Sequence, residues 1–196
     1  MGCIFCAFIV LRAVYMLITT AYNRQLAYAY AKRWAFDRNP LFYNFAGIGG
    51  DCTSFVSQCV YAGSCEMNYS MVNGWYYSNL ENRSPSWTGV SYFFEFMVTN
   101  KGNGPFGYET DAEGLEIGDV VQLSNVEGKY YHTLLVTGFA GGTYLVSAHT
   151  DDAFDRRLDS YNYSEARFIH IEGVRQYVRN SDACFDNFYN GISIDG

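Results

Sequence analysis

The spacing of hydrophobic residues changes along the chain from a helical to a strand-like period. Apolar and aromatic residues recur three or four positions apart between residues 22 and 34 and again between residues 52 and 60, which predicts two amphipathic helices. An Asn-Pro dipeptide ends the first helix. At the second helix, Asp51 is suited to the N-cap position, and Gly63 is suited to the position that follows the last turn.

The C-terminal half of the chain has the pattern of strands. Residues 68–103 are rich in Trp, Tyr, Ser and Asn, and we expect an excursion over the core that includes a short helix at residues 90–98. Beyond them, apolar segments are separated by glycine or polar turns, which predicts strands. The four predicted strands cover residues 118–123, 129–137, 143–149 and 166–171. Helices followed by antiparallel strands predict an α+β fold.

The first 21 residues stand apart as an apolar run that only Arg12 interrupts. We expect residues 1–21 to be a hydrophobic leader or a poorly ordered segment, with a packed helix or a membrane anchor as alternatives. No basic residue precedes the run, although residues 19–21 are small enough for a cleavage site. The rest of the chain divides into one domain over residues 22–178 and a C-terminal tail over residues 179–196.

Composition narrows the class of protein. With 196 residues, of which 49% are hydrophobic, the chain can form one globular domain with a substantial core. Its formal net charge of −7 repels phosphate backbones, so nucleic acid is not an expected partner. The six cysteines have neither zinc-ribbon spacing nor the density of a disulfide scaffold. Cys52 and Cys59 lie about 10 Å apart along one predicted helix, too far for a disulfide.

Cys52 has two interpretations. A thiol in the first turn of a helix lies near the positive end of the helix dipole and near unpaired N–H groups, which favour a thiolate. The same amides can receive a developing oxyanion. However, Cys52 also lies on the same stripe as Phe55 and Val56, as an inert core cysteine does. The helix alone leaves both readings open.

Two histidines in the predicted hairpin favour a catalytic role for the thiol. An even-length loop centred between Ala140 and Gly141 places His132 directly opposite His149, on one face of the hairpin. One ring can then orient the other. A nucleophilic thiol needs a nearby base that a further polar group holds in place, and this pair supplies both.

Other roles for these histidines remain open. Each can be a half-buried polar residue with satisfied hydrogen bonds, which is how we interpret His170. Together they can also ligate zinc with an acidic residue. The acidic candidates are Asp119, Asp151 and Asp152. We interpret the last two as part of a solvated loop, and expect no metal.

Several segments together resemble the bacterial putative amidase domain family, which is similar to the NlpC-type, papain-like cysteine peptidases. The most specific is Gly-Gly-Asp-Cys-Thr-Ser-Phe at the start of the second helix, followed later by a histidine strand. The resemblance extends over about residues 22–175. It is carried by residues 22–35, 39–40, 49–58, 84–90, 118–122 and 147–150.

The resemblance implies a papain-like fold and a cysteine amidase or peptidase. Carried over by position, Cys52 matches the nucleophile, His132 the base and His149 the residue that orients the base. Asp151 is close enough in sequence to compete with His149 for the third role. Trp75, Tyr76 and Trp87 are candidates to line the substrate cleft.

The resemblance also implies a substrate and a location. We expect peptide or peptidoglycan-derived substrates, no cofactor, and a secreted or cell-envelope protein, with the cytoplasm as the alternative location. Contact with a membrane is expected only if residues 1–21 are retained, and the sequence leaves the oligomeric state open. The alternative function is a catalytically silent wall-binding or interaction module of the same fold.

Overall fold

The computed structural model describes residues 16–177 and 183–192. Helices and an antiparallel sheet form this part of the chain, which confirms the predicted α+β class. The helices are α1 (Arg24–Trp34), α2 (Cys52–Ser64), α3 (Pro85–Thr88), α4 (Val90–Thr99) and α5 (Ala183–Tyr189). The strands are β1 (Ile18–Thr20), β2 (Gly104–Thr110), β3 (Val120–Ser124), β4 (Tyr130–Ala140), β5 (Thr143–Ala148), β6 (Ala153–Arg157) and β7 (Ala166–Gln176).

Local sequence sets the ends of the first two helices. The side chain of Asn23 caps α1 by accepting a hydrogen bond from the backbone N–H of Leu26. Helix α2 is followed by Cys65, which adopts a left-handed φ of 49°. Gly63 was predicted to follow the helix but lies inside it. A Cβ atom at that position would overlap the Tyr22 ring and the Asn23 carbonyl. Glycine thus allows the end of α2 to approach the start of α1 closely.

The seven-stranded sheet is antiparallel at every pairing among the described residues. Its order is β1-β7-β3-β4-β5-β6, and β2 lies along the other side of β7. Three of these strands, β1, β2 and β6, were not predicted. Strands β1 and β2 depend on β7, which is far away in the sequence, whereas β6 pairs with the neighbouring β5. None of the three has a clear alternation of its own.

The turn of the β4–β5 hairpin lies one residue later than predicted. Ala140 pairs with Thr143, so the turn consists of Gly141 and Gly142. Their φ angles are 59° and 80°, the positive values that a tight two-residue hairpin of this kind needs. Moving the turn by one residue shifts the cross-strand pairing by two residues, and a bulge in the middle of the hairpin removes one of the two.

The net register slip is one residue, and it changes which side chains share a face. Leu135, rather than the predicted Leu134, lies opposite Ser147. Since a slip of one residue reverses the faces of a strand, His132 and His149 do not face each other across the hairpin. The predicted pairing is therefore wrong, and β5 ends before His149.

Alternate residues of the central strands point into two hydrophobic cores. Val120 and Leu135 belong to the larger core beneath the helices, and Val121 and Leu134 belong to the smaller core. Thr133, which neighbours both Leu134 and His132 in sequence, lies on the helix side and places its hydroxyl 2.9 Å from that of Thr53. This contact joins β4 to the first turn of α2.

Parts of the predicted leader and tail belong to the folded unit. Ile18–Thr20 pairs with the end of β7, although these residues fall within the predicted leader. Helix α5 falls within the predicted tail, and its Phe188 is buried and stacks on Tyr30 at 4.6 Å. The rest of the predicted leader, residues 1–15, lies outside the described residues. None of the described helices has the length and apolar character needed to span a bilayer.

Candidate active site

Cys52 is the first residue of α2 and is 7% exposed. Burial raises the pKa of the Cys52 thiol above its ordinary value, while hydrogen bonds from the backbone N–H of Thr133 and from Thr53 lower it. The Thr53 hydroxyl lies 3.8 Å from the sulfur. Contact with Thr133 brings the thiol against β4 directly beside the predicted base. The other free cysteine among the described residues, Cys59, is buried two turns further along the helix.

His132 and Cys52 line the same cleft, which has a volume of about 300 Å³. The loop before α2 forms one wall and contributes Gly49 and Gly50. The remaining lining residues are Tyr131, Thr150, Asp151, Arg156, Tyr161 and Asn162. The structure thus brings together the predicted nucleophile and the predicted base, although they are 80 positions apart in the sequence.

The pKa of His132 is lowered to about 4, chiefly by burial; Asp151 opposes the shift, and the Arg156 cation contributes to it. The imidazole is therefore neutral near pH 7, as a general base must be. Tyr131 stacks beside the ring at a centroid distance of 6.1 Å. Within the described parts of the chain, no side chain forms a hydrogen bond with either ring nitrogen of His132.

His149 does not hold the ring of His132. Its Nδ1 atom lies 2.7 Å from a carboxylate oxygen of Asp51, and its Nε2 atom lies 2.9 Å from the carbonyl oxygen of Trp34. The ring is 1% exposed and stacks on Phe55 at 3.9 Å. The predicted orienting role is corrected here, because one nitrogen is engaged by the residue before α2 and the other by the last residue of α1.

Asp51 is the site residue whose role the sequence did not reveal. It was interpreted as a helix cap, but its side chain makes no capping hydrogen bond. Its carboxylate accepts a hydrogen bond from the backbone N–H of Phe45 and contacts His149. Its own backbone N–H donates to the Thr150 hydroxyl at 2.8 Å. The Arg38 Nε atom lies 3.3 Å from the carboxylate, in an ion pair without the angle of a hydrogen bond.

The loop after β5 is strained where it meets this network. Thr150 and Asp151 have φ angles of 60° and 71°, which residues with a side chain rarely adopt. Such conformations persist only where the surroundings impose them, and they concentrate at functional sites. Here the hydrogen bond to Asp51 and the bidentate contact between Arg38 and Asp152 fix the two ends of the strained segment.

The aromatic residues expected in the cleft lie elsewhere. Trp75 and Trp87 have no exposed surface and pack against each other at 4.8 Å in the larger core. Tyr76 lines a separate cavity of about 190 Å³ near α4. The expectation that these three residues contact substrate at the thiol is corrected, because Tyr131 and Tyr161 supply the aromatic surface of the cleft.

Of the three acidic residues considered as zinc ligands, Asp151 lines the cleft and the other two have partners elsewhere. Asp119 is fully buried and binds Arg24 at 2.6 Å and His170 at 2.9 Å, away from the cleft. Asp152 pairs with Arg38. Across residues 16–177 and 183–192, no three His, Cys, Asp or Glu side chains are grouped as metal ligands.

The fold and the cleft define an α+β domain in which a helix-terminal cysteine and a strand histidine share one opening. The chain belongs to the family described as “Putative amidase domain”, which it matches over residues 21–172. That description indicates hydrolysis of C–N amide bonds. The chain is also 31% identical over 150 residues to the uncharacterized protein YhbB of Bacillus subtilis (strain 168). The match covers 74% of this chain and 46% of YhbB, so the chain spans less than half of that relative. No solved structure matches the chain.

Proposed function

We propose that this protein is a cysteine-dependent amide hydrolase with a papain-like fold, related to the NlpC-type peptidases, in which Cys52 is the nucleophile and His132 the base. The observation that carries the proposal is the contact of the Cys52 sulfur with the backbone of Thr133, within a cleft that His132 also lines. The packing of helix α2, which bears the thiol, against strand β4, which bears the imidazole, supports this proposal.

In the first step His132 removes the proton from the Cys52 thiol as the sulfur attacks the amide carbonyl carbon. The carbonyl oxygen becomes an oxyanion, and the backbone N–H of Cys52, unpaired at the start of α2, donates to it. His132 then returns the proton to the leaving nitrogen as the C–N bond breaks. The products of this step are a free amine and a thioester on Cys52.

In the second step water attacks the thioester carbonyl carbon while His132 accepts a proton from the water. The carbon–sulfur bond breaks, the thiolate recovers the proton, and a carboxylic acid leaves. Every transfer uses the same pair of side chains, so no cofactor is needed.

We further propose that the substrates are peptides of the bacterial cell wall and that the protein acts in the cell envelope or outside the cell. The support is the resemblance to wall-cleaving families, together with an open cleft that has aromatic walls and both a cationic and an anionic side chain, Arg156 and Asp151. Incubation with a peptidoglycan digest, followed by mass spectrometry, identifies the bond that is cleaved.

Replacement of Cys52 tests the proposed function. Cys52→Ser exchanges the sulfur for a much weaker nucleophile, and we expect amide cleavage to fall below detection while the melting temperature stays within a few degrees of the wild-type value. Cys59→Ser is the matched control, since Cys59 is a second buried free thiol on the same helix. It is expected to retain full activity. A folded Cys52→Ser variant with wild-type turnover refutes the proposal.

One observation favours the alternative of a catalytically silent binding module. The pKa of the thiol is raised by burial and that of His132 is lowered by burial, so both groups are held in their neutral forms. Labelling with iodoacetamide separates the two functions. Selective alkylation of Cys52 at neutral pH supports an enzyme, whereas labelling of Cys52 as slow as that of buried Cys59 supports the silent module.

A further inference from the structure

The buried contacts of His149 fix its protonation state. Its two ring nitrogens face the Asp51 carboxylate and a backbone carbonyl. A carbonyl can only accept hydrogen bonds, and so can a carboxylate that is ionised. Asp51 also accepts a hydrogen bond from the backbone N–H of Phe45, and the Arg38 Nε atom lies 3.3 Å from its carboxylate. Both nitrogens of His149 must then carry a proton.

The charges around the ring balance only in this state. Asp51 at the start of α2, Arg38 in the loop after α1 and Asp152 in the loop after β5 are the charged groups that surround His149. Phe55 covers the ring face from within α2. With an imidazolium the four groups carry two negative and two positive charges. With a neutral imidazole these four residues together would carry one uncompensated negative charge next to the thiol, which is costly at a buried position.

We propose that His149 is a positioning residue, held as an imidazolium between Asp51 and the Trp34 carbonyl, which fixes the turn before Cys52 and cancels the Asp51 charge beside the thiol. The inference deepens the proposed function, on which its catalytic meaning rests. Asp51 immediately precedes the nucleophile, and its carboxylate opposes ionisation of the Cys52 sulfur. The imidazolium lets the carboxylate anchor the loop without imposing its charge on the sulfur.

Two measurements test the inference without a known substrate. In nitrogen-15 NMR spectra of the wild-type protein at neutral pH, His149 is expected to show protons on both ring nitrogens. A neutral tautomer of His149 overturns the proposal. This measurement needs no variant, so it decides the question even if substitutions at the site impair folding.

The second measurement is the rate at which iodoacetamide alkylates Cys52, located by mass spectrometry across a pH series. His149→Gln removes the positive charge, and we expect alkylation about tenfold slower below its midpoint, equivalent to a rise of about one pH unit in the midpoint. The double variant D51N/H149Q removes both charges and is expected to return the midpoint close to the wild-type value. A residue that only supports the structure would not show this restoration.

His170→Gln is the matched control, because it alters another His–Asp contact, the partly buried one to Asp119, which lies outside the cleft. Its alkylation profile is expected to equal that of the wild type. Wild-type alkylation in H149Q, or a double variant no faster than H149Q, refutes the inference. If Cys52→Ser keeps its activity while the alkylation shifts occur as expected, the proposed function fails and the role of His149 stands.

Discussion

The depressed pKa of His132 makes folding stability depend on pH in a direction that can be measured. Its pKa is about 4 in the folded protein, against about 6.5 in an unfolded chain. The unfolded state therefore binds a proton more readily, and stability contributed by the neutral ring is complete above about pH 6.5 and is lost as the pH falls towards 4. We predict that replacing His132 with Gln abolishes this loss.

The magnitude follows from the two pKa values. The difference between them corresponds to roughly 3 kcal/mol once the ring is fully protonated in both states. At about pH 5 the unfolded ring is almost fully protonated and the folded ring mostly neutral, so the cost is about 2 kcal/mol. His132 is only 7% exposed, so little of this effect is lost to screening by solvent.

The assay is urea unfolding of the wild type and of His132→Gln at pH values of about 7 and about 5. Other groups also titrate in this range, but they do so in both proteins and cancel in the difference. We expect the wild type to lose about 2 kcal/mol more stability than the variant between the two pH values. Equal losses of stability in the two proteins would show that the His132 ring is not buried in its neutral form. The explanation of its low pKa by burial would then be wrong.

Two further predictions concern the cleft and the core. Arg156 lowers the pKa of His132 and Asp151 raises it, so Arg156→Gln is expected to move the His132 titration, followed by NMR, to higher pH and Asp151→Asn to lower pH; shifts in the same direction would contradict the electrostatic account. Trp75→Ala is expected to cost about 3–5 kcal/mol of unfolding free energy, measured in urea, because the ring is fully buried. A stable Trp75→Ala variant with altered substrate affinity would instead show that Trp75 contacts substrate in the cleft.

The types of the main elements could be predicted from local sequence. Helices α1, α2 and α4 and strands β3, β4, β5 and β7 all have a clear hydrophobic period. Their starts were placed within two residues of the observed ones, whereas α2, β4 and β7 extend three to five residues beyond their predicted ends. Strand β2 contains two glycines and a proline and is a strand because β7 lies beside it. Local propensity does not contain that information.

The site was only partly predictable, for a physical reason that differs from residue to residue. The helix start at Cys52 and the strand histidine His132 each have a local signal, and the family resemblance connected them. The partner of His149 could not be found in this way. A bulge in the hairpin, invisible in the sequence, turns the expected cross-strand pair onto opposite faces, and the carboxylate that binds His149 is 98 positions away.

The two histidines near the cleft differ in the groups that surround each ring. His132 lies in a buried position beside the Arg156 cation and forms no hydrogen bond with a carboxylate, so the proton is disfavoured and the ring is available as a base. His149 lies between a carboxylate and a carbonyl, so both ring nitrogens are engaged and neither is available to the thiol. A transfer of the thiol proton to His149 is thus excluded by its contacts. The division of roles depends on which face of the hairpin each ring occupies, and hence on the bulge that sets the register.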